Sequence, residues 1–106
     1  DSLRGAYHFA RPAMPLSTAT AQARYFAKAM GSLHGSQDLP PVLDLEVNGG
    51  LGASSLAAWT LTFMRELEQL TGRVPILYTG YYFFTGSVGN PSSLSRYPLW
   101  EAWYTS

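Results

Sequence analysis

The sequence predicts an α/β fold in which parallel strands and helices alternate along 106 residues. Four short segments rich in aromatic and branched apolar residues are separated by longer segments, two of which carry apolar residues at helical spacing. Apolar residues make up 46% of the chain, which is enough for a packed core without disulfides, since cysteine is absent. Strands that alternate with helices are typical of parallel βαβ units.

The first strand and the first helix are predicted from the N-terminal third. Residues 5–10 (GAYHFA) are aromatic and lie between Gly5 and Pro12, as expected for a short strand. A helix follows within residues 15–31, and Gly31 fits just past its end. Ser17 or Thr18 can cap its start, and its apolar stripe consists of Ala19, Ala23, Phe26, Ala27 and Met30.

The second strand and the second helix occupy the middle of the chain. Residues 41–47 (PVLDLEV) predict a strand, and the Gly-rich residues 48–53 predict a flexible loop directly after it. Ser54 and Ser55 are expected to open a second helix, which closes at Gly72. Its predicted apolar stripe consists of Leu56, Trp59, Phe63, Leu67 and Leu70.

The last third predicts two further strands, at residues 74–79 (VPILYT) and 99–104 (LWEAWY), joined by a short helix and a loop. Four strands are too few to close a barrel, because a complete (β/α)8 barrel takes roughly 200 residues or more. We therefore expect residues 1–106 to form a single domain fragment with parallel strands, a partial TIM-like β/α barrel of about half the full length, from the middle of a larger domain.

The charge balance excludes several classes of partner. Seven basic and seven acidic residues cancel, so we expect no nucleic acid and no membrane surface as partner. No apolar run approaches the roughly 18 residues that span a bilayer, and the N-terminus does not have the pattern of a signal peptide. No cluster has metal-ligand spacing, so neither a metal nor a cofactor is expected. The aromatic content of 14% favours a carbohydrate ligand.

Two acidic residues, Asp44 and Glu46, interrupt the second predicted strand. Residues two apart on a strand point to the same face, with Cα atoms about 7 Å apart. Both carboxyls should therefore converge near the carboxyl end of the strand, which is where parallel barrels carry out chemistry.

The chain contains its own control for this spacing. Glu66 and Glu68 are also two residues apart, but they lie on the second predicted helix, where such neighbours diverge by about 200°. Only the strand pair is expected to converge. Three other interpretations of the strand pair stay open: a helix N-cap, a solvent-facing edge, and a salt bridge to a distant arginine.

Two neighbouring carboxyls repel, so one keeps its proton to higher pH while the other stays ionised. Cleavage of a glycosidic bond needs this division between a proton donor and an anion. Aromatic side chains on the neighbouring strands would offer stacking surfaces for sugars, although core packing is as good an explanation for Tyr7 and Trp100. These candidate substrate-binding residues are Tyr7, Phe9, Tyr78, Trp100 and Tyr104. His8 alternates with the aromatic residues and is expected to be structural.

Four motifs, in this order, carry a resemblance to a known family: GAYHFARP, LPPVLDLEVNGG, TGRVPILYTGYYFF and YPLWEAWY. Together they resemble the glycoside hydrolase family 25 lysozymes, the Chalaropsis-type N-acetylmuramidases of bacteria, fungi and phage endolysins. The resemblance spans nearly the whole chain. It implies hydrolysis of the β-1,4 bond between N-acetylmuramic acid and N-acetylglucosamine in peptidoglycan, on an irregular β/α barrel.

The resemblance also implies roles for individual residues. Glu46 corresponds to the general acid and Asp44 to its anionic partner, which either orients the acetamido group of the sugar as nucleophile or attacks directly. Tyr78, with Tyr7, Phe9 and Trp100, matches cleft positions. The implied partners are peptidoglycan glycan strands, and the implied location is extracellular or cell-wall directed, by secretion or by phage release.

The chain departs from the family pattern at both ends. The first strand of the family, which carries a further acid, has no counterpart, and the closing strands are absent. Open sheet edges would then favour self-association. Glu101 stands where an aliphatic residue is usual and faces either inward or outward. Two alternative functions remain: another barrel glycosidase acting on chitin-like chains, and a non-catalytic module that binds cell-wall sugars.

Overall fold

In the computed structural model the described residues are 6–31, 40–89 and 91–102. A π-helical turn (Phe84–Val88) and a 3-10 turn (Ser92–Leu94) connect the last two strands. In chain order the regular elements are β1 (Tyr7–Phe9), α1 (Ser17–Gly31), β2 (Val42–Leu45), α2 (Ala53–Thr71), β3 (Ile76–Gly80), α3 (Tyr81–Phe83) and β4 (Leu99–Ala102). The predicted alternation of strands and helices is confirmed.

The four strands form one parallel sheet in the order β1-β2-β3-β4. Phe9 is in register with Asp44, Asp44 with Tyr78, and Tyr78 with Trp100. Because paired residues of a parallel sheet point to the same face, these four side chains form one row across the sheet. In the part of the chain that the structure describes, β1 and β4 are the two edges of the sheet.

The core lies between the other face of the sheet and the helices α1 and α2. Leu43, Leu45 and Leu77 point to this face and are 0–1% exposed. On the helix side, the rings of Trp59 and Phe63 stack at 5.8 Å between centroids. Burying apolar side chains of this size contributes about 1.5–3 kcal/mol each, so this layer fixes the sheet against the helices.

The predicted apolar stripe of α2 is confirmed except at its end. Leu70 is 47% exposed, because the packed stripe ends at Leu67, before the last turn of the helix. The start of α2 also differs, since Gly52 occupies the N-cap position before Ala53 and offers no side-chain cap.

The end of α2 agrees with the sequence. Gly72 adopts a left-handed conformation with φ 71°, and its N–H bonds the Glu68 carbonyl at 2.8 Å. Of the remaining predictions, the end of the fourth predicted strand and the role of Tyr104 lie outside the described residues. Among the helices that are described, none is long and apolar enough to cross a bilayer.

Candidate active site

An open cavity of about 470 Å³ crosses all four strands on the face opposite the helices. The strands supply side chains of two kinds, carboxyls from β2 and its end and aromatic rings from the strands on either side. The lining residues are Ala6, Tyr7, Val42, Asp44, Glu46, Tyr78 and Trp100. The alternation of β2 thus divides its residues as the sequence predicts, with Leu43 and Leu45 on the opposite, buried face.

Asp44 is the buried member of the acid pair. It is 8% exposed, and its Oδ1 atom has no hydrogen-bond partner among the residues that the structure describes. Burial, which is the largest cause, acts together with a hydrogen bond to the Glu46 side chain and repulsion from that carboxyl to raise the pKa of Asp44 to about 7. Glu46 itself is exposed and follows the last residue of β2. The two carboxyls therefore converge and compete for one proton.

The three non-catalytic explanations for the acid pair, a salt bridge, a helix cap and a solvent-facing edge, do not fit Asp44 in the structure. The ion pairs of the described residues join Arg24 to Glu66 and Arg96 to Glu68, and neither involves the acids of β2. Asp44 is not a helix cap either, because it lies inside a strand. The third explanation, a solvent-facing edge, fails for Asp44 since β2 is an inner strand.

The loop after Glu46 is held close to the loop after β1. Asn48 accepts a hydrogen bond from the Gly50 N–H through Oδ1 at 2.8 Å. Gly49 has φ 61°, and a Cβ atom there would lie 2.0 Å from the Pro12 carbonyl oxygen. Only glycine fits this approach without moving one of the two loops.

The structure brings together most of the predicted aromatic residues. Tyr7, Tyr78 and Trp100 line the cavity. Tyr7 is 70% and Trp100 46% exposed, so neither is a core residue of the described chain. Phe9 does not line the cavity, although it is in register with Asp44 and lies on the same face. Tyr104 lies outside the described residues.

Residues that the sequence analysis did not single out lie on the other side of Glu46. Gly80, Tyr82 and Phe83 form, with Glu46, a smaller hollow of about 150 Å³. The signal for it was present in the sequence, because the aromatic run 81–84 directly follows the carboxyl end of β3, where parallel sheets place ligands.

Two polar residues near the sheet do not belong to the cavity. His8 lies on the helix side, where its ring stacks on Phe63 at 5.4 Å and Nε2 is 3.2 Å from Oε1 of Gln22. This is the structural histidine that the sequence predicts. Glu101 is in register with the buried Thr79, so it lies on the helix side of the sheet and adds no acid to the cavity. Within the described ranges, no group of three or more His, Cys, Asp or Glu side chains is arranged to bind a metal.

Two carboxyls that share one cavity, flanked by exposed aromatic rings at the carboxyl end of a parallel sheet, have the arrangement of a glycoside hydrolase site. The comparison with known families agrees with this class. The chain belongs to the glycosyl hydrolases family 25, whose model matches residues 1–106.

Relatives in this family are identical to the chain at somewhat more than a third of the aligned positions. An N,O-diacetylmuramidase of Chalaropsis sp. is 39% identical over 98 residues, which cover 86% of this chain and 46% of the relative. Lysozyme M1 of Streptomyces globisporus is 34% identical over 108 residues, which cover 94% of this chain and 36% of the relative. The chain thus spans less than half the length of these curated relatives.

Solved structures of the family show the same fold. The spore cortex lytic enzyme SleM of Clostridium perfringens superposes with a TM-score of 0.84 at 36% identity, over 94% of this chain and 35% of SleM. A family GH25 lysozyme from Aspergillus fumigatus gives a TM-score of 0.80 at 34% identity, over 98% of this chain and 53% of the lysozyme. The four-stranded sheet is therefore part of the irregular β/α barrel that the sequence predicts.

Proposed function

We propose that this chain carries the acid pair of a peptidoglycan hydrolase, a lysozyme that cleaves the β-1,4 bond between N-acetylmuramic acid and N-acetylglucosamine. The observation that carries the proposal is the convergence of Asp44 and Glu46 in one cavity, in a chain of family 25. Glu46 is the general acid that protonates the leaving oxygen. Asp44 is the anionic partner that faces the reacting sugar.

The proton of the pair must reach Glu46 before the bond breaks. In the cavity without substrate, the raised pKa of Asp44 favours a proton on that residue, which is the reverse of the proposed roles. A sugar acetamido N–H that bonds the unpartnered Oδ1 of Asp44 would favour its ionised form. Because the two neighbouring carboxyls titrate together, substrate binding then shifts the proton toward Glu46.

The same contact supports a substrate-assisted reaction. Asp44 orients the acetamido group, whose carbonyl oxygen attacks the anomeric carbon while Glu46 protonates the leaving sugar. Direct attack by Asp44 is the alternative route, and trapping a glycosyl ester on Asp44 would establish it. Tyr7, Tyr78 and Trp100 supply the stacking faces that hold the sugar rings over the carboxyls. Phe9 and Tyr104 are proposed as further substrate-binding residues.

The test is the digestion of bacterial walls by the full chain and by Glu46→Gln. The active protein should clear the suspension and release new muramic acid reducing ends. The glutamine variant should lose this activity while still binding walls, because its amide keeps the shape and lacks the proton. An unchanged rate in this variant would show that Glu46 is not the acid.

The products separate the alternative functions. Cleavage of chitin oligomers in preference to peptidoglycan would identify a different barrel glycosidase. Binding to walls with no new reducing ends, by both the wild type and the variant, would identify a sugar-binding module. We also propose that the protein acts outside the cytoplasm, directed to the cell wall by secretion or by phage release, because peptidoglycan is its proposed substrate.

We further propose that the sheet edges take part in association between copies of the chain. Trp100 on β4 and Tyr7 on β1 are exposed large apolar side chains next to the edges of the described sheet. Exposed edge strands favour pairing with further strands. Sedimentation of the full chain at micromolar concentration tests this, and a clean monomer would rule it out.

A further inference from the structure

We propose that Thr79 is a positioning residue, which sets the direction of the Glu46 side chain relative to Asp44 by holding the main-chain carbonyl of Leu45. Thr79 lies on β3 and is fully buried. Its hydroxyl donates a hydrogen bond of 2.6 Å to the carbonyl oxygen of Leu45, the residue between the two acids. The catalytic meaning of this contact rests on the proposed function, whereas its effect on the geometry does not.

The hydrogen bond acts on the peptide unit that leads into Glu46. The Leu45 carbonyl and the Glu46 nitrogen belong to one planar amide, so holding the oxygen fixes the plane from which the Glu46 side chain departs. β2 ends at Leu45, and Glu46 therefore lies beyond the regular strand. The Thr79 hydroxyl therefore extends the hydrogen-bonded restraint of β2 by one residue, to Glu46, whose side-chain direction matters for the site.

The preceding peptide unit is held from the opposite side. The N–H of Ala10, just after β1, donates a hydrogen bond of 2.8 Å to the Asp44 carbonyl. The two amides between the acids are thus fixed by the two neighbours of β2, one through the main chain and one through a side chain. This arrangement restrains the separation of the carboxyls of Asp44 and Glu46.

The apolar surroundings of Thr79 indicate that its hydroxyl has a role other than packing. Its side chain points to the helix side of the sheet, where Leu45 and Leu77 are buried among apolar residues. A valine would fill the same volume at this strand position without burying a polar group. What the threonine adds is its donor, and the acceptor of that donor is the Leu45 carbonyl.

Asp44 is a reporter for the position of Glu46. Of the charged and titratable groups that line its cavity, Glu46 comes from the same segment, Tyr7 from β1 and Tyr78 from β3. Among the described residues, the lining includes no basic side chain. A movement of Glu46 away from Asp44 therefore lowers the Asp44 pKa, because the hydrogen bond and the repulsion that help to raise it both weaken.

The experiment compares Thr79→Val, Thr79→Ser and a matched control, Thr60→Val, in the full chain. Thr60 is equally buried, and its hydroxyl donates a 2.8 Å hydrogen bond to the Leu56 carbonyl within α2. Carbon-13 NMR titration measures the Asp44 pKa. Wall digestion measures kcat and KM, and thermal unfolding measures stability.

Thr79→Val should lower the Asp44 pKa by about one unit and reduce kcat about tenfold, with KM within about twofold of wild type. Thr79→Ser keeps the donor and should restore both values. Thr60→Val should lower the stability as much as Thr79→Val does, while leaving the Asp44 pKa and kcat unchanged.

Thr79→Val could instead keep the wild-type Asp44 pKa and kcat and lose only as much stability as Thr60→Val. That result would show that Thr79 has a structural role and does not position Glu46. A serine variant that behaves like valine would also overturn the proposal. If Thr79→Val does not fold, Thr79→Ala is the second donor-free variant. The titration needs no turnover, so it decides the role of Thr79 even if Glu46→Gln shows that Glu46 is not the acid.

Discussion

Two acid pairs with the same sequence spacing differ in side-chain direction and in bonding partners: one pair converges in a cavity, and the other diverges on a helix. Asp44 on β2 and Glu46 just after it point to the same side of the sheet and share a cavity. Glu66 and Glu68 leave α2 in different directions. Glu66 accepts a hydrogen bond from Arg24 at 3.1 Å, whereas Glu68 bonds Arg96 and the hydroxyl of Tyr97.

The electrostatics of the two pairs follow from this difference. Burial and the neighbouring acid raise the pKa of Asp44 to about 7. The hydrogen bond from Arg96 lowers the pKa of Glu68, and the Tyr97 hydroxyl acts in the same direction. The comparison shows that the backbone period decides the chemistry of an acid-x-acid motif: a period of two makes the acids compete, and a period of 3.6 separates them.

The largest expected effect concerns hydrolysis. Asp44→Asn removes the anion of the strand pair and should reduce wall digestion by at least about a hundredfold. Glu66→Gln makes the same chemical change in the helix pair and should leave the rate within about twofold of wild type. Reducing-end release measures both. Equal losses in the two variants would mean that the cavity is not where the reaction occurs.

Substituting alanine for the glycine that follows each acid pair, Gly49 or Gly72, should lower the free energy of unfolding by different amounts. Gly49→Ala places a Cβ atom against the Pro12 carbonyl at a positive φ, and we expect a loss of about 3 kcal/mol in the free energy of unfolding. Gly72→Ala also has a positive φ but meets no atom within 4 Å, and about 1 kcal/mol is expected. Denaturant unfolding measures both. A Gly49 variant as stable as the Gly72 variant would show that the loops separate freely.

The pH dependence of stability should report the buried acid. Asp44 binds its proton more tightly in the folded chain, with a pKa of about 7 against 3.8 for an unperturbed aspartate. Between those values the folded state holds the extra proton, so stability falls as the pH rises, by on the order of 2 kcal/mol. Asp44→Asn should remove this slope and be more stable than wild type at about pH 8.

Chemical denaturation across this pH range, on wild type and Asp44→Asn, tests that slope. Parallel curves for the two proteins would contradict the raised pKa. The same pair of measurements also separates the two roles of Asp44, because the asparagine variant should be inactive and yet the more stable protein at alkaline pH.

The smallest effect is expected at the helix pair, and its sign is opposite. The Glu68 carboxylate is stabilised in the folded chain, so its contribution is present above the usual glutamate pKa and disappears as the pH falls through the lowered value. Glu68→Gln should slightly lower the melting temperature near neutral pH. The difference should shrink in molar salt, because the pair with Arg96 is exposed. A salt-independent loss would indicate packing instead of charge.

Much of the fold follows from local patterns. The alternation in residues 42–45 sets the two faces of β2, and the spacing of Leu56, Trp59 and Phe63 sets the buried stripe of α2. Gly72 ends that helix as expected because the left-handed cap favours glycine. The prediction that Leu70 is buried was wrong. Periodicity identifies which face of a helix is apolar, but it does not show how far along the helix the packing elements extend.

The site was only partly predictable from the sequence. The convergence of Asp44 and Glu46 follows from strand geometry alone. Two features of the site depend on how β1 and the segment after β3 pack around β2. They are the position of Phe9 outside the cavity lining and the small hollow beside Tyr82. The contact between Thr79 and Leu45 spans 34 positions in sequence, and nothing local predicts it.

The sequence by itself determined the parallel α/β class, the shared face of the two acids, and the family. Tertiary structure decided which acid is buried, which glycine is crowded, and which carbonyl receives the Thr79 hydroxyl. The physical reason is the distance along the sequence over which each effect acts. Backbone periodicity is a property of neighbouring residues, whereas desolvation and hydrogen bonding depend on atoms that only the folded chain brings together.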